Sequence, residues 1–186
     1  EIASCLVGSE MCIRDRLCSY YSRGEDSSSQ FDSLKIAKSP SYKKHLNQYN
    51  VIFINMSLEF NSARYDVNQM ISSITSSIVK ELKEAYPQVV FNSPDKLYES
   101  LDDVFSDSKV PFVFIIDEWD RIMREKKEDA QSLKLYLEWL EGIFKDQSYI
   151  ALAYMTGILP IKKYGNQSAL NLSLIHISEP TRQEAI

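Results

Sequence analysis

Two adjacent carboxylates, Asp117 and Glu118, directly follow an apolar run over residues 112–116. Mg²⁺ in proteins is held by one or two carboxylates and keeps several of its waters. We therefore expect Asp117 to hold the water shell of a Mg²⁺ ion. Glu118 is placed to polarise or deprotonate a water that attacks a γ-phosphate, because phosphoryl transfer depends mainly on positioning and charge neutralisation. The alternative is a buried strand that ends in an acidic loop and has no ligand.

Two other polar residues end apolar runs. Thr156 follows the run over residues 149–155, and Asn55 lies at the end of the run over residues 51–56. Taken alone, Thr156 is equally consistent with a turn that ends a strand, and for Asn55 the turn is the favoured interpretation. If the strands are neighbours, both side chains belong to the same pocket as Asp117.

The predicted strands and helices are the elements that must hold these polar groups in place. Three short apolar runs, over residues 51–56, 111–116 and 149–155, predict strands that are buried on both faces. Apolar residues spaced three and four apart predict long helices over residues 66–86 and 128–144. Strands that alternate with helices predict an α/β fold with a parallel sheet flanked by helices. Ligands of such sheets bind beyond the carboxyl ends of the strands.

Ser-Pro pairs predict the starts of two further helices. Ser39 and Ser93 each precede a proline. Serine is a favoured N-cap residue, and proline is favoured at the first helical position because its missing N–H costs nothing there. We therefore expect helices to begin at both pairs. A short helix or extended piece is expected over residues 158–163.

The composition excludes several classes of function. The net charge of -5 gives no sign of the basic surface that binds nucleic acid. No apolar run reaches the roughly 18–20 residues that span a bilayer. Cys18 is the single cysteine outside the two ends discussed below, so the sequence predicts no disulfide there and a reducing, cytoplasmic setting. His45 is the single histidine outside those ends, which argues against histidine-based catalysis or metal binding.

The two ends of the chain are related to each other at the level of DNA. A DNA sequence that encodes residues 172–182 also encodes residues 6–16 when its reverse complement is read one base in. The shared string resembles the end of a transposase-type sequencing adapter. We therefore expect residues 1–16 and 172–186 to be translated adapter, and residues 17–171 to be the natural polypeptide.

Three segments resemble prokaryotic AAA-ATPase-like proteins, a family of P-loop NTPases. Their Walker B segment is similar to VFIIDEWDRIMRE, the strand and loop after it to ALAYMTGILPIKKYGNQSALN, and the region after their phosphate-binding loop to YYSRGEDSSSQFDSLKIAKSPSYKKHLNQYNVIFINMS. The resemblance covers residues 17–171 and implies a P-loop NTPase-type parallel sheet, truncated at both ends, with ATP and Mg²⁺ as ligands. It assigns Asp117 and Glu118 to Walker B. It implies that Thr156 contacts the γ-phosphate or the attacking water.

The same resemblance implies parts that this sequence lacks. Family members have a Walker A loop in an RRFGKT-like context, and many have a C-terminal PD-(D/E)XK nuclease-like domain. No G-x-x-x-x-G-K-S/T occurs among the 186 residues. The backbone N–H groups and the lysine of that loop bind the β- and γ-phosphates. We therefore expect a fragment of an ATPase that by itself neither binds ATP tightly nor hydrolyses it.

A non-catalytic nucleotide-sensing or protein-interaction scaffold is the alternative function. Glu118 favours hydrolysis, because a sensor does not need a residue that activates water. The expected partners are the nucleotide and another copy of the chain, with nucleic acid bound only through a missing C-terminal domain. A missing first strand also predicts an unpaired sheet edge, and therefore a marginally stable, aggregation-prone chain.

Overall fold

Three parallel strands form the centre of the fold, which is known from a computed structural model that describes residues 13–158. The helices and strands follow one another in the order α1 (Ile13–Tyr21), α2 (Ser28–Phe31), a 3₁₀ helix (Lys35–Lys38), α3 (Tyr42–His45), β1 (Asn50–Asn55), α4 (Met56–Ser62), α5 (Val67–Ala85), α6 (Leu97–Ser108), β2 (Phe112–Asp117), α7 (Arg121–Glu125), α8 (Ala130–Phe144) and β3 (Ile150–Met155). The predicted α/β class with a parallel sheet flanked by helices is confirmed.

The strand order β1-β2-β3 places β2 in the middle of the sheet. In the pairing of β1 with β2, Asn55 lies opposite Asp117, and in the pairing of β2 with β3, Ile116 lies opposite Met155. The three strands therefore end at the same edge. The residues that follow them must meet there.

The side chains of β2 alternate between two apolar layers, as the two-residue period of a strand requires. Phe112, Phe114 and Ile116 face the larger layer, which is built mainly from α5, α6 and α8. Val113 and Ile115 face Cys18 of α1 and Val51 of β1. All five apolar residues of β2 are at most 1% exposed, so the strand is a rigid support for Asp117 at its end.

The outer strands are less buried than the sequence predicts. Phe53 of β1 is 40% exposed and Leu152 of β3 is 37% exposed. Both lie on the face that carries α1. Among the described residues that face is covered by a helix of nine residues, which is too short to shield three strands. The prediction of burial on both faces is correct for β2, wrong at Phe53 of β1, and wrong for β3, where no residue is buried.

The long helices begin where their carboxylate caps lie. Asp66 accepts a hydrogen bond from Gln69 N at 2.9 Å before α5, and Asp129 accepts one from Ser132 N at 3.0 Å before α8. Each bond satisfies an N–H group that has no partner within its helix. The helices predicted over residues 66–86 and 128–144 are confirmed, with ends that differ by one or two residues.

The helix starts predicted at the two Ser-Pro pairs are wrong. The first helix begins at Tyr42 and the second at Leu97, three or four residues after the serines. The carbonyl of Ser39 accepts from Tyr42 N at 3.0 Å, and the carbonyl of Ser93 accepts from Lys96 N at 3.0 Å. Each serine therefore opens a turn that precedes the helix. Proline is as well suited to the second position of such a turn as to the first turn of a helix.

No helix within the described part of the chain is long and apolar enough to cross a membrane. The element predicted over residues 158–163 falls almost entirely outside the described residues, as do most of the predicted adapter at residues 1–16 and all of it at residues 172–186.

Candidate functional site

Asp117 and Thr156 meet at the carboxyl edge of the sheet. Thr156 lies one residue beyond β3, and its backbone N–H donates to the carbonyl of Ile116 at 2.9 Å, which continues the strand pairing. This holds the Thr156 hydroxyl beside β2, where it donates to Oδ1 of Asp117 at 2.5 Å. The sequence analysis predicted both residues for one pocket, and they are in direct contact.

Glu118 turns away from Asp117. Its φ of 54° lies in the left-handed region, which sends the two adjacent side chains in different directions. The Glu118 carboxylate accepts a hydrogen bond from the Ser57 hydroxyl. Its other oxygen lies 3.9 Å from Nη2 of Arg124. The two consecutive carboxylates therefore contact the strands on either side of β2. Asp117 contacts the residue after β3, and Glu118 contacts the first turn of the helix after β1.

The end of β1 contributes Ser57 rather than Asn55. The Asn55 side chain accepts from Leu58 N at 3.0 Å and so caps α4. This is the turn role that the sequence favoured. Ser57 lies two residues further, in the first turn of α4, and was missed. Ser57 could have been predicted from the pairing of β1 with β2. In that pairing, polar residues just past β1 lie at the same edge as those just past β2.

The loop after β2 is joined to the residues after β3. Trp119 N donates to the carbonyl of Thr156 at 3.0 Å, and the Tyr136 hydroxyl donates to the carbonyl of Trp119 at 2.6 Å. Trp119 is 3% exposed, so its ring packs within the core. Burial, together with the nearby charge of Asp120, raises the pKa of Tyr136, and its hydroxyl therefore stays protonated and continues to donate.

An arginine from the first helix reaches the same edge. The Arg14 guanidinium forms an ion pair with Oδ2 of Asp117, and its central carbon lies 5.7 Å from the centre of the Phe53 ring. Arg14 belongs to the stretch that the sequence analysis set aside as adapter, so this pair was not predicted. The pair places a positive charge where a cation bound to Asp117 would lie.

The oxygen atoms at this edge fit Mg²⁺. A carboxylate and a hydroxyl are hard ligands, which Mg²⁺ prefers. Among residues 13–158 no group of three or more His, Cys, Asp and Glu side chains converges. A metal ion at Asp117 would therefore take its remaining ligands from water and phosphate, as Mg²⁺ commonly does. Arg14 pairs with Oδ2 of Asp117 in this structure, so the water shell of such an ion would compete with the guanidinium for that oxygen.

Comparison with known proteins relates this chain to one described family. A model of the family described as Predicted AAA-ATPase matches residues 11–165. No curated protein and no solved structure matches the chain. The match contains the three predicted site residues and Ser57. It also contains residues 11–16, which the sequence analysis assigned to the adapter. The boundaries predicted at residues 17 and 171 remain predictions.

Proposed function

This chain belongs to the Predicted AAA-ATPase family, and we propose that Asp117, Glu118 and Thr156 form the magnesium-binding and water-activating side of an ATPase site. The observation that carries the proposal is the position of two adjacent carboxylates at the carboxyl edge of a parallel sheet. One contacts Thr156 and the other contacts Ser57. The rigid, buried β2 fixes both.

Each residue has a separate role in the proposed site. Mg²⁺, bound together with ATP, would neutralise charge on the phosphates. Asp117 would hold the ion through its water shell, and the Thr156 hydroxyl fixes the orientation of that carboxylate. Glu118 is partly exposed, with 45% of its side chain accessible, so it can accept a proton from a water. Ser57 holds the Glu118 carboxylate in place until a substrate water competes for it.

The sequence supplies one side of such a site. Phosphates need a cradle of backbone N–H groups and a lysine, and no G-x-x-x-x-G-K-S/T occurs in the 186 residues. We therefore propose that the active ATPase is a longer parent polypeptide, and that this chain neither binds ATP tightly nor hydrolyses it. A titration of the purified chain with an ATP analogue tests this, and binding in the micromolar range would contradict it.

The genomic DNA across the codons for Leu17 and Asn171 gives a direct test of the parent. The expected result is an upstream reading frame that encodes a strand followed by G-x-x-x-x-G-K-S/T. A genome that itself encodes residues 1–16 at that place would disprove the adapter interpretation. The scaffold function would then replace the enzyme.

Replacement of Glu118 tests the catalytic role in the polypeptide that contains the phosphate loop. Glu118→Gln keeps the size of the side chain and removes the base. We expect ATP hydrolysis to fall by about 100-fold, within the usual contribution of a general base, while ATP binding persists. Glu125→Gln is the matched control, because Glu125 pairs with Arg121 on α7 at 3.1 Å and should leave hydrolysis unchanged. Equal rates for Glu118→Gln and the unmodified protein would exclude Glu118 as the base.

One observation favours a second function. The ion pair of Arg14 with Asp117 neutralises the carboxylate without a metal, which suits a nucleotide-sensing or interaction scaffold. In that case Mg²⁺ would not compete with Arg14. The proposal also includes self-association and contact with nucleic acid through a further domain. It includes a cytoplasmic setting as well, because Cys18 is the single cysteine outside the predicted adapter.

A further inference from the structure

Asp120 is a completely buried carboxylate beside the proposed site, with 0% of it exposed. It lies in the loop between β2 and α7. Its Oδ2 accepts a hydrogen bond from the backbone N–H of Ile158 at 3.2 Å and lies 3.2 Å from Nε of Arg124 in an ion pair. A charge removed from water is costly unless it is compensated. The partners that compensate this one come from α7 and from the residues just past β3.

Gly157 shows how closely the two loops approach. A Cβ atom at this position would lie 2.6 Å from Oδ1 of Asp120 and 2.8 Å from two atoms of the Trp119 ring. Those distances are shorter than any ordinary contact of a side chain. The loop after β3 therefore rests directly on Asp120 and Trp119, and glycine is the residue that permits it.

These contacts surround Thr156 on both sides. Its carbonyl accepts from Trp119 N at 3.0 Å, and two residues further the N–H of Ile158 donates to Asp120. The segment between these two bonds has little freedom to move. The Thr156 hydroxyl consequently stays against Asp117, at 2.5 Å from Oδ1.

We propose that Asp120 is a positioning residue: it anchors the Thr156–Gly157–Ile158 segment against the loop after β2 and so holds the Thr156 hydroxyl on Asp117. Arg124 balances the charge of Asp120 through their ion pair. The same guanidinium also lies 3.9 Å from the Glu118 carboxylate. The relevance to catalysis rests on the proposed function. The anchoring itself does not, and it can be measured without a ligand.

The first experiment measures the Thr156 side chain in the 186-residue chain by NMR. Three-bond couplings from the Thr156 Cγ2 methyl to the backbone report its χ1 rotamer, and hydrogen exchange reports the Ile158 amide. We expect a single rotamer in the unmodified protein. In Asp120→Ala we expect averaged couplings and exchange of the Ile158 amide faster by about tenfold, since that amide loses its acceptor. Unchanged couplings in a folded Asp120→Ala variant would overturn the proposal.

A matched pair of variants protects the test against simple loss of folding. Arg124→Gln and Arg121→Gln remove the same charge from the same helix, and both arginine side chains are 24% exposed. We expect Arg124→Gln to average the Thr156 couplings and Arg121→Gln to leave them unchanged. If Asp120→Ala does not fold, this pair decides the question, and equal behaviour of the two variants would count against Asp120.

The second experiment connects the anchor to metal binding. Mn²⁺, as a paramagnetic substitute for Mg²⁺, should broaden the Thr156 signals, and Asp117→Asn should abolish that effect. We expect Asp120→Ala to raise the dissociation constant for Mn²⁺ by about tenfold, as loss of a supporting residue around a metal ligand typically does. In a chain that already carries Thr156→Val, Asp120→Ala should raise the dissociation constant for Mn²⁺ hardly any further. If it raises that constant by the same factor as in the unmodified chain, Asp120 acts on stability alone. Absence of Mn²⁺ binding in the unmodified chain would mean that the ion needs the phosphates of ATP, while the Thr156 couplings still decide the anchoring.

Discussion

At the scale of single residues, the two carboxylates of the site differ in how closely an arginine approaches them. Asp117 is paired with Arg14, while Glu118 lies near Arg124 at a longer distance of 3.9 Å. The first carboxylate is 21% exposed and the second 45% exposed. The less exposed carboxylate therefore has the closer ion pair and the hydroxyl donor. The more exposed one remains accessible to water, and this difference fits the separate metal-holding and proton-accepting roles that we propose for them.

Tyr136 provides a prediction about alkaline pH. Burial is the main cause that raises the pKa of Tyr136, with the charge of Asp120 as a second cause, and burial also raises the pKa of Tyr149. The unfolded chain begins to lose tyrosine protons near pH 10, whereas the folded chain retains these two. The unfolded state then binds fewer protons, so the free energy of unfolding should fall as the pH rises above about 10.

Urea unfolding between pH 8 and pH 11 measures this effect. Tyr136→Phe should reduce the slope of the decline, because one of the two groups that respond to pH is gone. At pH 8 the same variant should lose about 1–2 kcal/mol, since the Trp119 carbonyl is left buried without its donor. Tyr65→Phe is the control, because Tyr65 is 48% exposed and should change neither value. An unchanged slope in Tyr136→Phe would contradict the assignment.

The sequence predicted Asp117 and Thr156 because polar residues that end parallel strands must share an edge. It missed Ser57, which lies inside a helix that starts without an intervening loop. It also missed Asp120, because its partners, Ile158 and Arg124, are set by the way two loops fold against each other. Local patterns of polar and apolar residues contain no information about such a contact.

At the scale of elements, length decides what a pattern predicts. The strands and the two long helices have enough residues for a two-residue or a 3.6-residue period to be recognised. The helices α4 and α7 have seven and five residues, which is too few for a period, and the sequence analysis missed both. Ser-Pro was ambiguous for a different reason, because a turn and a helix start use the same dihedral angles at proline.

Asp66 provides a prediction about the longest helix. Its side chain caps α5, whose apolar face contacts the core along 19 residues. Asp66→Ala should lower the free energy of unfolding by about 1 kcal/mol, the usual cost of losing an N-cap. Asp66→Ser keeps an oxygen that accepts from Gln69 N and should retain most of that free energy. Denaturant unfolding of the two variants compares them, and equal losses would show that the cap contributes nothing.

At the scale of the whole molecule, the described residues leave one apolar face of the sheet partly open. The face opposite is covered by α5, α6 and α8. Phe53 and Leu152 remain accessible beside α1. Exposed apolar surface next to the edge of a sheet promotes association between molecules. These exposed residues add a second reason, beside the predicted unpaired edge, to expect that the chain is marginally stable and prone to aggregate.

Leu152 tests that expectation. Leu152→Ser removes an apolar side chain that is 37% exposed on β3, and it should reduce the concentration-dependent light scattering of the purified chain. The effect on stability should be small, because much of the side chain already contacts water. Leu58→Ser is the matched control, since Leu58 is 63% exposed on α4, away from the open face, and should leave the scattering unchanged. Equal scattering by both variants would mean that association uses another surface.

A separate measurement tests the expected marginal stability. A sharp, reversible unfolding transition of residues 17–171 would show that the open face lowers the free energy of unfolding only slightly.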